Sequence, residues 1–294
     1  MKVEVKKVDK LKRIIKIEVT DEEFLAKKAE VYTQLGKNLK VPGFRPGNAP
    51  VEILEKYHDK FLKEEFLKEA IPFFYNKSLE QENLNPAAMP KIYDVNLTDR
   101  KIEFFAEFEI RPQIVLSDED YKKLVIKDKD VYVSESEVEK ILTNIKERIK
   151  RVVNKELSDD MVAHWASYPN IDKLKEAIRA EIFVEKLRDR REKINLQIFE
   201  QLLKNIKFDL PKVEVEKMHQ QLLEHQIYTL KLQNTPPTDI EKYKKDLEDK
   251  LKPVAEEQTR LLYILNAIAQ RENIKVENDL NVVIDFILSE AIFK

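Results

Sequence analysis

The chain has 294 residues, no cysteine, 53 lysine and arginine residues against 55 aspartate and glutamate, and a formal net charge of -2. That length predicts more than one hydrophobic core, and the missing thiols exclude disulfides, cysteine nucleophiles and cysteine-ligated zinc. The near-neutral balance argues against binding nucleic acid by bulk charge. The opening "MKVEVKKVDKLKRIIKIEV" has no apolar run suited to a signal peptide or a membrane span, so a cytoplasmic location and no membrane partner are expected.

In chain order, Val3 and Val5, then Ile15, Ile17 and Val19, alternate with charged residues, the period-2 pattern of a hairpin with one face on a core. Its turn sets Lys6, Lys7, Lys10, Lys12 and Arg13 against Asp9 alone, which reads either as a solvated tip or as an accessory contact to an anionic partner. Thr20 and Glu23 have capping-box spacing and predict a helix that stops at Gly36. After "KVPGFRPGNAP", Asn48 is placed to cap a second helix with Pro50 in its first turn. Ile53, Leu54, Tyr57, Phe61 and Phe66 are its apolar positions, and Pro72 should kink or interrupt it. Lys91 to Ile110 reads as two strands with a turn at Thr98 to Arg100. Residues 1–112 therefore predict an α+β domain, a small sheet with two main helices.

Residues 113–150 read as a charged, partly extended linker strand without a core of its own, then a helix opened by the capping pair Ser134 and Glu137. Beyond it the pattern is helical. Leu174, Ile178, Ile182, Ile194, Ile198 and Leu202 mark a helix from about 171 to 205, followed by helices over about 213–233, from Thr238, over about 253–271 and over about 279–292. Residues 151–294 thus predict a mostly α-helical, arm-bearing C-terminal domain, and the whole an elongated multidomain protein.

Catalytic patterns are absent. Gly43 and Gly47 are not followed by the Lys-Ser/Thr of a phosphate loop, and His58, His164, His219 and His225 lack metal-ligand spacing. His225, on a stripe with Val215, Met218 and Leu222, reads as a packing histidine, His164 beside Trp165 as a packing corner, and "RDRREK" at 188–193 as a solvated helix face. No enzyme activity, metal or cofactor is expected.

What stands out is the loop. All three glycines fall at positions 36, 43 and 47, and the loop places Phe44 and Arg45 among Pro42, Pro46 and Pro50. An aromatic beside an arginine on a stiffened loop has the composition of an interface anchor. The alternative is that Phe44 folds back over the helix ends. "GFRPGNAP" resembles the G-F-R-x-G-K-x-P signature of the trigger factor family, bacterial chaperones that dock at the ribosomal exit tunnel. "LNPAAMPKI", "FFAEFEIRPQIVL" and "VSESEVEKIL" are similar to the end of that family's N-terminal domain and to its linker helix, and "KELSDDMVAHWA", "IDKLKEAIRAEI" and "KPVAEEQTRLLYILNAIAQRENIKV" to its helical chaperone domain.

The resemblance implies that Gly43, Phe44, Arg45, Pro46, Gly47 and Asn48 contact the large ribosomal subunit at the tunnel exit, through a ribosomal protein and neighbouring rRNA. Asn48 stands where the family usually has lysine, so one cationic contact is lost. The resemblance also implies nascent and unfolded polypeptides as clients, with Met218, Leu222, Ile227, Tyr228 and Leu230 as candidate client-binding residues that serve equally well as core, and it allows a weak homodimer. The family's glycine-rich peptidyl-prolyl isomerase domain is missing, because "NIKERIKRVVNKELSDD" passes directly from linker helix to chaperone domain; the C-terminal end looks shortened as well. The expected function is an ATP-independent holdase on the ribosome. Two alternatives stay open: a ribosome-independent holdase, and an assembly protein whose 43–50 loop binds another partner.

Overall fold

The computed structural model describes residues 1–45, 47–277 and 279–294. They fall into two compact units, one of residues 1–114 and 208–260, the other of residues 115–207 and 261–294. Of the stretch 151–294, residues 208–260 cluster with the N-terminal sheet and the rest with the second unit.

The first unit is built on one antiparallel sheet. Strands β1 (Lys2–Lys7), β2 (Lys12–Thr20), β3 (Lys91–Leu97) and β4 (Lys101–Glu109) lie in the order β1-β2-β4-β3, so the two hairpins join through their second strands. Alternation sorts the faces. Ile15, Ile17 and Val19 of β2 and Ile102, Phe104, Ala106 and Phe108 of β4 are buried under helices α1 (Asp21–Gly36) and α2 (Val51–Gln81). Phe66 of α2 meets Phe24 and Tyr32 of α1 edge-on at 5.5 and 6.1 Å. Each such buried side chain contributes roughly 1.5–3 kcal/mol of transfer free energy.

The opposite face is a lattice of ion pairs. Glu18 sits directly across from Glu103, a like-charge pair that would repel. Lys101 offsets this by reaching both carboxylates, at 2.9 and 2.6 Å, while Lys16 reaches Glu103 at 2.7 Å. Hydrogen bonds from Lys101 and Lys16 hold the Glu103 carboxyl down at about 2.

Several local expectations change. Thr20 precedes α1 but forms no side-chain cap, and Glu23 pairs with the N-terminal ammonium and Lys77. Pro72 lies inside α2, and the departure from helical geometry falls at His58 (φ -134°, ψ 25°). The faces of α2 on both sides of Pro72 stay buried, at Phe66, Ala70, Phe74 and Tyr75, and this packing keeps the helix running. Tyr57 and Phe61, expected on the core face, are 54% and 44% exposed. Helices α7 (Lys212–Leu232) and α8 (Pro237–Arg271) follow later in the chain. Pro237 occupies the first turn of α8, where its missing N–H costs nothing, and α8 continues through Pro253 where two helices were expected.

In the second unit, the sequence contributes short α3 (Asp118–Tyr121), β5 (Val125–Ile126), α4 (Glu135–Val153), α5 (Asp159–Trp165), α6 (Ile171–Asn205), α9 (Asn281–Ser289) and β6 (Ile292–Phe293), together with the last turns of α8. The Ser134–Glu137 capping box forms as the spacing predicts. Val138, Leu142, Val162, Ala163, Leu174, Ile178 and Ile182 make the core of α4, α5 and α6. The linker segment is not coreless: Tyr121, Leu124 and Ile126 are buried. It is held extended between two partners. β6 pairs with β5 in parallel on one side, and on the other Gln201 and Gln197 of α6 each exchange two hydrogen bonds with the backbone of Val125 and Lys127, at 2.8–3.2 Å. Arg190 and Arg191 are not merely solvated, since they pair with Asp128 and Asp285.

Candidate docking loop

The loop between α1 and α2 is built from its base outward. Gly36 is the last residue of α1 but makes no left-handed turn, and its small size serves packing: a Cβ there would lie 2.7 Å from Cδ1 of the buried Leu54. Glycine lets the two helices approach at that point. Val41 is 5% exposed and anchors the middle of the loop. The base is tied across by His58, whose Nε2 lies 3.0 Å from the Lys40 carbonyl oxygen. A carbonyl only accepts, so this nitrogen carries the proton and donates.

The tip then turns twice. The Phe44 N–H donates to the Val41 carbonyl at 3.1 Å and the Asn48 N–H to the Arg45 carbonyl at 3.0 Å. Gly43 and Gly47 sit at φ +83° and +89°, left-handed backbone that side chains with a Cβ rarely adopt. Phe44 is 41% exposed rather than folded back, and Arg45, Lys37 and Lys40 are exposed with no ion pair among the described residues. Pro46 lies outside the described residues. Asn48 is exposed and does not cap α2: the N-cap position is Pro50, whose carbonyl accepts from Ile53 and Leu54. An exposed ring beside an unpaired guanidinium can bury apolar area and make a charge-assisted contact in one place.

The sequence reading missed His58. It belongs to an unbroken i+4 row with Leu54, Leu62, Phe66, Ala70 and Phe74, all buried, and that row is the signal that could have found it.

Of the candidate client-binding residues on α7, Tyr228 is 60% exposed, while Met218, Leu222, Ile227 and Leu230 are half-buried. Of the histidines of α7, His225 is not the packing residue expected. His225 is exposed, and His219 is buried with Nε2 2.8 Å from the Glu248 carbonyl, because the six-residue step puts the two on different faces. His164 and Trp165 are exposed as well, the short α5 packing through Val162 and Ala163 instead. Within the second unit a cavity of about 750 Å³ is lined by Lys127–Tyr132, by α6 from Lys186 to Gln197, and by Lys294. Among the described residues no group of three or more histidine, aspartate or glutamate side chains is placed to hold a metal, and no helix is long and apolar enough to cross a membrane.

Two family models match the sequence. The one for bacterial trigger factor protein (TF) takes in residues 1–145, with the whole loop, and the one for bacterial trigger factor protein (TF) C-terminus takes in residues 170–289. The chain belongs to the trigger factor family. Between its two trigger factor segments lie residues 146–169, which hold only the end of α4, a turn and α5.

Among individual trigger factors, that of Solibacter usitatus (strain Ellin6076) is 31% identical over 148 residues, covering 50% of this chain and 35% of that protein. That of Pelotomaculum thermopropionicum is 31% identical over 158 residues, 53% of this chain and 36% of that protein. The trigger factor of Desulforudis audaxviator (strain MP104C) is 29% identical over 155 residues, 52% of this chain and 35% of the relative. The matched part of the chain thus spans about a third of the length of these curated relatives. A solved structure of the trigger factor chaperone, described for promiscuous substrate recognition in folding and assembly activities, shares the fold with a TM-score of 0.51. That likeness covers 95% of this chain and 87% of that one at 14% identity.

Proposed function

We propose that this chain is an ATP-independent chaperone that docks on the large ribosomal subunit at the tunnel exit and holds nascent or unfolded polypeptides. The observation that carries the docking part is the loop. Two left-handed glycines bracket a tip on which Phe44 stands 41% exposed beside Arg45, which has no ion pair among the described residues. Phe44 fills an apolar pocket on a ribosomal protein, Arg45 pairs with a carboxylate or an rRNA phosphate, and Gly43, Pro46, Gly47 and Asn48 shape the approach. Lys37 and Lys40, exposed in the same loop, supply the positive charge that Asn48 does not. Family membership supports the chaperone part. Met218, Leu222, Ile227, Tyr228 and Leu230 offer scattered apolar surface on α7, suited to weak, promiscuous holding of extended segments. The protein works in the cytoplasm, without proline isomerase activity.

Sedimentation with vacant bacterial ribosomes tests the docking. The wild type pellets with them, and a Phe44→Ala/Arg45→Ala double variant loses roughly thirtyfold or more in affinity, the cost of removing an aromatic and arginine anchor together. Equal pelleting of both proteins removes the loop from the interface. If neither pellets, the ribosome-independent holdase takes over, a reading that the loss of a cation at Asn48 favours.

A further inference from the structure

We propose that His58 is a positioning residue for the docking loop: it pins the loop's base so that the tip is presented in one conformation. This rests on the docking reading above for its consequence, but not for its geometry. Three observations carry it. First, α2 departs from helical backbone at His58 and at no other position recorded within it. Kinks have causes such as proline, glycine or an inserted group, and no proline or glycine lies within that turn. Second, His58 lies in the i+4 row with the buried Leu54, Leu62 and Phe66, and it is half-buried there. Third, its Nε2 donates across 18 residues to the Lys40 carbonyl, one position before the buried Val41.

The irregular backbone and the long-range hydrogen bond belong together. Sparsely populated dihedrals persist where the surroundings fix them, and here the fixing contact runs to the loop itself. Val41 accepts from the Phe44 N–H, so holding Lys40 and Val41 sets where the turn that carries Phe44 begins. Two glycines in left-handed backbone give the tip freedom at both ends. The pin removes that freedom from the base, so less conformational entropy is lost when the tip docks.

The test uses the full chain with His58→Phe, which keeps a ring without a donor, and His58→Gln, whose side-chain amide presents a donor near the Nε2 position. Amide hydrogen exchange at Leu39, Phe44 and Asn48 is read alongside ribosome affinity and melting temperature. In His58→Phe those amides exchange roughly fivefold faster, matching the net contribution of one hydrogen bond, and ribosome affinity falls by a similar factor. His58→Gln restores both, which a merely space-filling role would not allow. Wild-type exchange in the Phe variant, or a Gln variant as fast as Phe, overturns the pin. If the Phe variant melts so early that all amides exchange together, the Gln variant alone decides, because it must match the wild type. If wild-type protein does not bind ribosomes at all, the docking reading fails while the exchange data still decide whether His58 holds the loop.

Discussion

At the scale of single residues, charge placement on the sheet shows how a crowded surface is made favourable. Glu103 faces Glu18 across the β2–β4 ladder, and Lys101 and Lys16 turn that repulsion into a shared network. Because folding depresses the Glu103 pKa from 4.5 to about 2, its contribution is fully present above pH 4.5 and is lost as the pH falls toward 2. Glu103→Gln should therefore lower the melting temperature at pH 7, and the gap to wild type should close as thermal melts are repeated from pH 5 down to pH 2. A gap that stays constant with pH would mean that the glutamate acts by packing and not by charge. The charges of this lattice were legible in the alternating strands, but their pairing was not, because diagonal contacts depend on register and register is not written in one strand alone.

Among the elements, the amide ladder is the least expected. Gln197 and Gln201, one turn apart on α6, meet Val125 and Lys127, alternate residues of an extended segment, so a helix supplies one side of a strand's hydrogen bonds. Replacing both with alanine should leave α6 intact and raise the exchange rates of the Val125 and Lys127 amides by at least tenfold, since each loses its partner. Unchanged protection would show that β6 alone holds the segment. The bounds of α6 were readable almost to the residue from its apolar spacing, and so was the Ser134 cap of α4. The segment before α4 read as extended, but its core and its partners were not readable. Its buried residues are few and irregularly spaced, and its partners come from α6 and β6, far along the chain, so no local period reveals them. The loop is the intermediate case: its glycines and its Phe-Arg pair stood out in the sequence, whereas the Lys40–His58 tie became visible only with the fold.

For the whole molecule, the proposed function separates holding from catalysis. Purified protein should suppress aggregation of a chemically unfolded client at near-stoichiometric amounts while leaving prolyl isomerisation in a model peptide at its uncatalysed rate, tens to hundreds of seconds at 25 °C. Light scattering reads the first and a protease-coupled assay the second; unsuppressed aggregation would overturn the holdase reading, and rapid isomerisation would overturn the absence of an isomerase domain. A different consequence follows from how the chain is divided. Each compact unit is assembled from two separated stretches, 1–114 with 208–260 and 115–207 with 261–294, so the backbone crosses from one to the other three times. During synthesis the sheet and its two helices emerge first, yet the unit they belong to stays incomplete until residue 260 has left the tunnel, and the other unit waits longer still. Half-made copies therefore expose unfinished apolar surface of their own until those late-closing parts have emerged.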